Sequence, residues 1–190
     1  PMMLNPKNPV SMGVFGPPVI YTEAKKAQDV NLRASQEVIL ECWREFGRRY
    51  GRHYAPVEKY RADDAKVLLL TMGSFSETAM TAIDKMREEG RQVGLLRLRL
   101  WRPFPFKELR QAVKGVETLV VLDRAISFGG SGGPVCSEIR AALYNEVSKP
   151  KVISFIGGLG GRDITPSGFE EIINRGMEIA RDGIEEEFVL

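Results

Sequence analysis

Apolar residues recur at steps of three and four over residues 23–49, where Ala27, Val30, Ala34, Val38, Cys42 and Phe46 form a stripe that Ile39 and Trp43 widen. That period is helical. It predicts the longest helix of the chain, about 40 Å at 1.5 Å rise per residue, with Gly47 and Gly51 marking its frayed end. Residues 1–22 carry five prolines and two glycines. Proline fixes φ and turns the residue before it away from helix, so this stretch reads as an extended arm. Val10, Met12, Val14, Phe15, Val19, Ile20 and Tyr21 make it too apolar for a free linker. It is expected to lie on another domain or subunit. Residues 52–64 read as a polar connection.

Beyond that point short apolar runs alternate with helical periods. Strands are expected over residues 66–71, 93–100, 118–123 and 151–156. The first helix after them has Ser74 and Glu77 spaced as a capping box, Ala79, Met80, Ile83 and Met86 on one face, and Gly90 in the place of a terminating glycine. A short helix over residues 106–113 follows the break at Arg102-Pro103-Phe104-Pro105. Pro134 opens a helix that carries Ile139, Ala142 and Leu143 and ends near Val147. Thr165 and Pro166 cap and open the last one, with Phe169, Ile172, Ile173, Gly176 and Ala180 turned inward. The tail Glu185-Glu186-Glu187 reads as solvated. Strands alternating with helices imply right-handed βαβ units. The fold class is therefore α/β, a doubly wound and mainly parallel sheet. Residues 1–60 form the arm and connecting helix, and residues 61–190 the α/β domain. No internal repeat or low-complexity segment is seen.

Composition narrows the function. The chain has 190 residues, 43% hydrophobic and 27% charged, with 27 basic and 25 acidic residues for a net charge of +2. That balance leaves no electrostatic footprint for nucleic acid or anionic lipid. The basic runs Arg44, Arg48, Arg49, Arg52 and Arg97, Arg99, Arg102 read as solvated or ion-paired faces. Two distant cysteines fit a reducing, cytoplasmic setting. No apolar run approaches a membrane span, and the first residues do not resemble a signal peptide.

The candidate chemistry lies in two glycine-rich loops. Gly129-Gly130-Ser131-Gly132-Gly133 matches a nucleophile elbow between strand and helix. The only histidine, His53, precedes the serine, and a serine without a base is a poor nucleophile. Gly157-Gly158-Leu159-Gly160-Gly161-Arg162-Asp163 departs from the dinucleotide fingerprint, because Asp163 stands where the third glycine belongs. One histidine and two separated cysteines build no metal site or iron–sulfur cluster, and Cys42 on the apolar stripe reads as core. Asp123-Arg124 ends the third of these strands and Arg162-Asp163 follows the fourth strand and its loop, on the side of the sheet where open α/β sheets bind ligands. The competing reading is a pair of ion pairs that hold the loops. No catalytic residue and no metal ligand is assigned. The residues expected at a ligand or interface are Arg124, Ser127, Gly129, Gly130, Arg162 and Asp163. A free-standing module that binds an anion or nucleotide at a helix amino terminus is the rival reading.

Several segments read together resemble one family. They are Asn8-Pro9-Val10-Ser11-Met12-Gly13, Leu70-Thr71-Met72-Gly73-Ser74, Leu96-Arg97-Leu98-Arg99-Leu100-Trp101-Arg102-Pro103-Phe104-Pro105, Leu122-Asp123-Arg124-Ala125-Ile126-Ser127-Phe128-Gly129, and Ile156-Gly157-Gly158-Leu159-Gly160-Gly161-Arg162-Asp163-Ile164-Thr165-Pro166. Together they resemble the α subunit of 2-oxoacid:ferredoxin oxidoreductases, the pyruvate:ferredoxin oxidoreductase (pyruvate synthase) family. The resemblance implies a domain like the C-terminal domain of transketolase. It implies an enzyme that oxidatively decarboxylates a 2-oxo acid, pyruvate by default, to acyl-CoA and carbon dioxide. Its cofactors would be thiamine diphosphate, Mg2+, [4Fe-4S] clusters and coenzyme A, with none held by this chain alone. Thiamine-binding and ferredoxin-like subunits would be its partners, and ferredoxin would be reached through the complex. The earlier domain of that subunit has no counterpart here, so the chain is expected to be a fragment or a separately encoded piece, inactive by itself.

Overall fold

The computed structural model describes residues 5–9, 15–183 and 188–189. Its elements run α1 (Pro18–Tyr50), β1 (Val57–Tyr60), β2 (Val67–Thr71), α2 (Phe75–Glu88), β3 (Val93–Leu98), α3 (Phe106–Ala112), β4 (Thr118–Asp123), α4 (Pro134–Leu143), β5 (Lys151–Ile156), a 3-10 turn at Leu159–Gly161, α5 (Pro166–Asp182) and β6 (Phe188–Val189). The strands form one sheet in the order β1-β3-β2-β4-β5-β6. All neighbouring pairs are parallel except β1 with β3.

Parallel strands covered on both sides read as continuous apolar runs, and successive side chains go to opposite faces. Leu68 and Leu70 of β2 therefore join Leu119 and Val121 of β4 under α3 and α4, where Leu109, Ile139 and Leu143 meet them. Leu69, Val120, Ile153 and Phe155 face the other way, against Ile83 and Met86 of α2 and Phe169, Ile172 and Ile173 of α5. Gly176 lets α5 come close to β4, since a Cβ there would lie 2.5 Å from Val120 Cγ2.

Five expectations are corrected. The helix α1 starts at Pro18, so the arm is shorter than expected; proline suits a first helical position because no partner is needed for its missing N–H. The stretch expected as a polar connection holds β1. Its Val-Glu-Lys-Tyr sequence is that of a short, charged edge strand rather than of a buried one. Ser74 makes no side-chain cap. The Thr71 and Ser76 hydroxyls pair with each other at 2.8 Å in the core, and Glu77 turns to Arg97 at 2.6 Å. The helix α4 ends at Leu143, four residues early. Cys42 is exposed, while Cys136 is buried. The tail residues 185–187 lie outside the described residues, as do residues 10–14 of the arm.

The stripe on α1 divides. Ile39, Trp43 and Phe46 are half-buried and Gly47 is buried, whereas Val30, Val38 and Cys42 face solvent. Docking is by aromatic contact: Trp43 and Phe46 lie 6.2 Å and 5.7 Å from the Tyr54 ring, and the Arg99 guanidinium covers Tyr54 at 4.3 Å. Much of the basic run is satisfied within the chain. Arg99 grips Glu58 with two bonds of 2.6 and 3.0 Å, and Arg102 pairs with Glu138. Among the described residues no helix is long and apolar enough to cross a membrane.

Candidate functional site

The carboxyl ends of β2, β4 and β5 open onto three loops, and the sequence-expected residues lie on the last two. Asp123, the final residue of β4, organises the first glycine-rich loop. Its carboxylate is 2% exposed as a residue and accepts the backbone N–H groups of Val135 at 2.9 Å and Cys136 at 3.0 Å. These are amino-terminal donors of α4, left without partners inside the helix, and a negative charge there suits the helix dipole. Burial pushes the Asp123 carboxyl above its ordinary pKa, and the two N–H donors pull it partly back. Gly133 makes room for this arrangement. A Cβ on it would lie 2.2 Å from Asp123 Oδ2. Arg140 ties the loop from the other side, donating to the carbonyls of Ser131 at 3.0 Å and Val152 at 2.9 Å.

Asp123 and Arg124 thus serve neither of the expected ion pairs. The Arg124 guanidinium lies over the Phe75 ring at 4.4 Å, and its Nη2 approaches the Gly158 carbonyl at 3.5 Å. Phe75 opens α2 and meets Phe169 of α5 edge to face, with centroids 5.9 Å apart. Gly158 has φ of +74°, and a Cβ there would lie 2.4 Å from Phe75 Cζ. Glycine is required twice over, by the left-handed backbone and by the aromatic ring.

Ser127 accepts the Gly130 N–H at 2.8 Å in a tight turn whose tip includes Gly129 and the 90% exposed Phe128. Arg162 and Asp163 follow the 3-10 turn and are exposed. The structure brings Arg124 to the Gly158 loop, while Ser127, Gly129 and Gly130 form a separate turn. Phe75 was missed by sequence reasoning, and so was the capping role of Asp123. The signal for Asp123 was present: an acidic residue ending a strand whose next helix opens Gly-Gly-Pro. His53 packs against Gly47 at the carboxyl end of α1.

The profile of the pyruvate:ferredoxin oxidoreductase core domain II family matches residues 65–169. That span encloses Phe75, Asp123, Arg124 and Gly158. Pyruvate synthase subunit PorA of Methanothermobacter thermautotrophicus is 42% identical over 174 residues, covering 92% of this chain and 44% of the relative. Ketoisovalerate oxidoreductase subunit VorA of Pyrococcus abyssi is 35% identical over 178 residues, covering 93% of this chain and 45% of the relative. The chain therefore spans less than half the length of these curated relatives. A solved split-gene transketolase, described as an inactive beta4 tetramer, superposes with a TM-score of 0.51 at 14% identity, covering 68% of this chain and 44% of that one. That likeness shows the fold alone.

Proposed function

Because the chain belongs to the pyruvate:ferredoxin oxidoreductase core domain II family, we propose that it works as a module of a cytoplasmic 2-oxoacid:ferredoxin oxidoreductase and supplies shape and contact rather than reacting groups. The complete enzyme oxidatively decarboxylates a 2-oxo acid, pyruvate by default, to acyl-CoA and carbon dioxide, and passes electrons to ferredoxin. The match over residues 65–169 carries this reading. Relatives named as pyruvate synthase and ketoisovalerate oxidoreductase subunits support a 2-oxo acid as substrate class.

Thiamine diphosphate with Mg2+ and the [4Fe-4S] clusters are assigned to the other domains and subunits, and coenzyme A is a cofactor of the complete complex that this chain does not hold alone. Among the described residues the side chains do not fit the metal-bearing groups. Among the described residues no group of three or more His, Cys, Asp or Glu could hold a metal ion. One cysteine is exposed on α1 and the other is buried in α4, whereas an iron–sulfur cluster takes about four ligands. The carboxyl edge, with Arg124, Ser127, Gly129, Gly130, Arg162 and Asp163, is the surface assigned to the neighbouring domain or its ligand. The exposed half of α1, residues 18–34, is assigned to the thiamine-binding and ferredoxin-like subunits.

An anion-binding module would use an open helix amino terminus. Asp123 fills that of α4, and the Thr165 hydroxyl accepts the Gly168 N–H at 3.2 Å in α5. Both contacts weigh against the rival at these two helices, and the amino terminus of α2, where Ser74 makes no side-chain cap, is left to it. Co-expression with the remaining subunits, followed by size-exclusion chromatography and 2-oxoacid-dependent ferredoxin reduction, tests the proposal. We expect co-elution and a requirement for this chain. A complex that forms and turns over fully without it would overturn the reading.

A further inference from the structure

Two loops with little conformational restraint of their own and the start of α2 meet at one guanidinium. Residues 124–133 contain four glycines and residues 157–161 contain another four. Such segments sample many backbone states unless tied from outside. Each is tied at its base: the first through Asp123 and Arg140, the second through the Gly157 N–H donating to the Asp123 carbonyl at 2.9 Å. Above the bases, Arg124 lies flat on Phe75 at 4.4 Å while its Nη2 approaches Gly158 O at 3.5 Å. Phe75 in turn stands edge-on to Phe169, which is fully buried. A column of contacts therefore runs from the β4 loop, through the start of α2, to the core beneath α5. Gly158 admits the ring to this column because a Cβ would strike it.

We propose that Arg124 is a positioning residue that locks the loops after β2, β4 and β5 into one body, acting through Phe75 and Gly158. The inference deepens, and rests on, the reading of this edge as the functional surface. The charge of Arg124 holds it to the ring face, its planar fork reaches the Gly158 carbonyl, and Phe75 passes the restraint to the core. Displacement of any one member frees the other two loops.

Hydrogen exchange on the full chain reads this directly, because the loops after β4 and β5 each have hydrogen-bonded amides as reporters. Gly130 N–H bonds to Ser127 O at 2.8 Å, Gly161 N–H to Gly158 O at 3.3 Å, and Arg162 N–H to Leu159 O at 3.2 Å. An exposed cation–ring contact corresponds to about a two- to fivefold change in opening. Arg124→Met is expected to raise exchange at Gly161 and Arg162 by that factor with an unchanged melting temperature. Phe75→Leu is expected to raise it at Gly130 as well as at Gly161 and Arg162. The double variant should exchange no faster than the faster single variant, and Arg124→Lys should restore part of the protection. Exchange that rises only in the substituted loop, additive effects in the double variant, or Lys behaving as Met overturns the coupling. Size-exclusion of wild type with co-expressed subunits separates the two readings. Loss of assembly there sinks the assignment of the edge as an interface, while the exchange pattern still decides the coupling.

Discussion

Replacing Asp123 tests whether one buried carboxylate organises the first glycine-rich loop. Asp123→Ala removes the acceptor of two N–H groups, from Val135 and Cys136, in a place water does not reach. Bonds to a charged acceptor are worth about 1.5–3 kcal/mol each. The raised pKa of the carboxyl says that its burial already costs part of this sum. The expected net loss is about 2–4 kcal/mol, because two donors stay buried without partners. Asp123→Asn keeps the volume and one acceptor but turns an amide donor toward the second N–H, for a loss of about 1–2 kcal/mol. The pH dependence has a definite sign. A folded-state pKa above the unfolded value means that the folded chain binds the proton more readily. Stability from this group is therefore complete below the unfolded carboxylate value and is lost as pH rises through the higher folded value. Urea unfolding of wild type and Asp123→Asn at stepped pH should show that falling segment in wild type only. If Asp123→Ala unfolds within about 0.5 kcal/mol of wild type with an unchanged urea slope, the loop is held by something else.

Gly133→Ala should cost about 3 kcal/mol, at the upper end of overpacking, since its methyl would lie 2.2 Å from Oδ2 of a carboxylate held by two bonds, one to each oxygen; thermal melting checks it. Gly158→Ala should cost about 1–3 kcal/mol through left-handed strain and displacement of Phe75, read by urea unfolding. A thiol reagent should modify Cys42 in the native chain and Cys136 only after denaturation, and Cys42→Ser should abolish the native reaction.

Elements buried on both sides were the legible part of the fold. β2, β4 and β5 are short apolar runs with no other role open to them, and Thr165-Pro166 and Gly133-Pro134 punctuate the chain in ways that fix helix starts. The edge strand β1 was not legible, because Glu58 and Lys59 make it look like a connection, and its partner β3 lies over thirty residues on in sequence. Serine and glutamate at capping spacing misled for a related reason. Ser74 enters α2 with a helical backbone, so its side chain cannot reach back, and Glu77 has a better partner in Arg97. At the proposed site, strand-end logic pointed to Arg124 and to the glycine-rich loop after β5. It could not foresee Phe75, since a ring at the start of a helix carries no periodic signal and its role depends on a contact across 49 residues.

The long helix shows where sequence periodicity stops being informative. A helical stripe reports that a surface is to be covered and is silent on whose surface covers it. Ile39, Trp43 and Phe46 are covered by this chain through Tyr54, whereas Val30, Val38 and Cys42 remain in water. The exposed segment has no side-chain cap and no acidic residue in its first turn. Most helical stability in proteins comes from tertiary packing of one face rather than from propensity, so the exposed half depends on continuity with the docked half and on whatever covers it. Each Val or Leu side chain taken fully out of water contributes roughly 1.5–3 kcal/mol. Val19, Ile20, Val30 and Val38 are exposed on the side of α1 away from the docked face and together supply an apolar driving force for assembly.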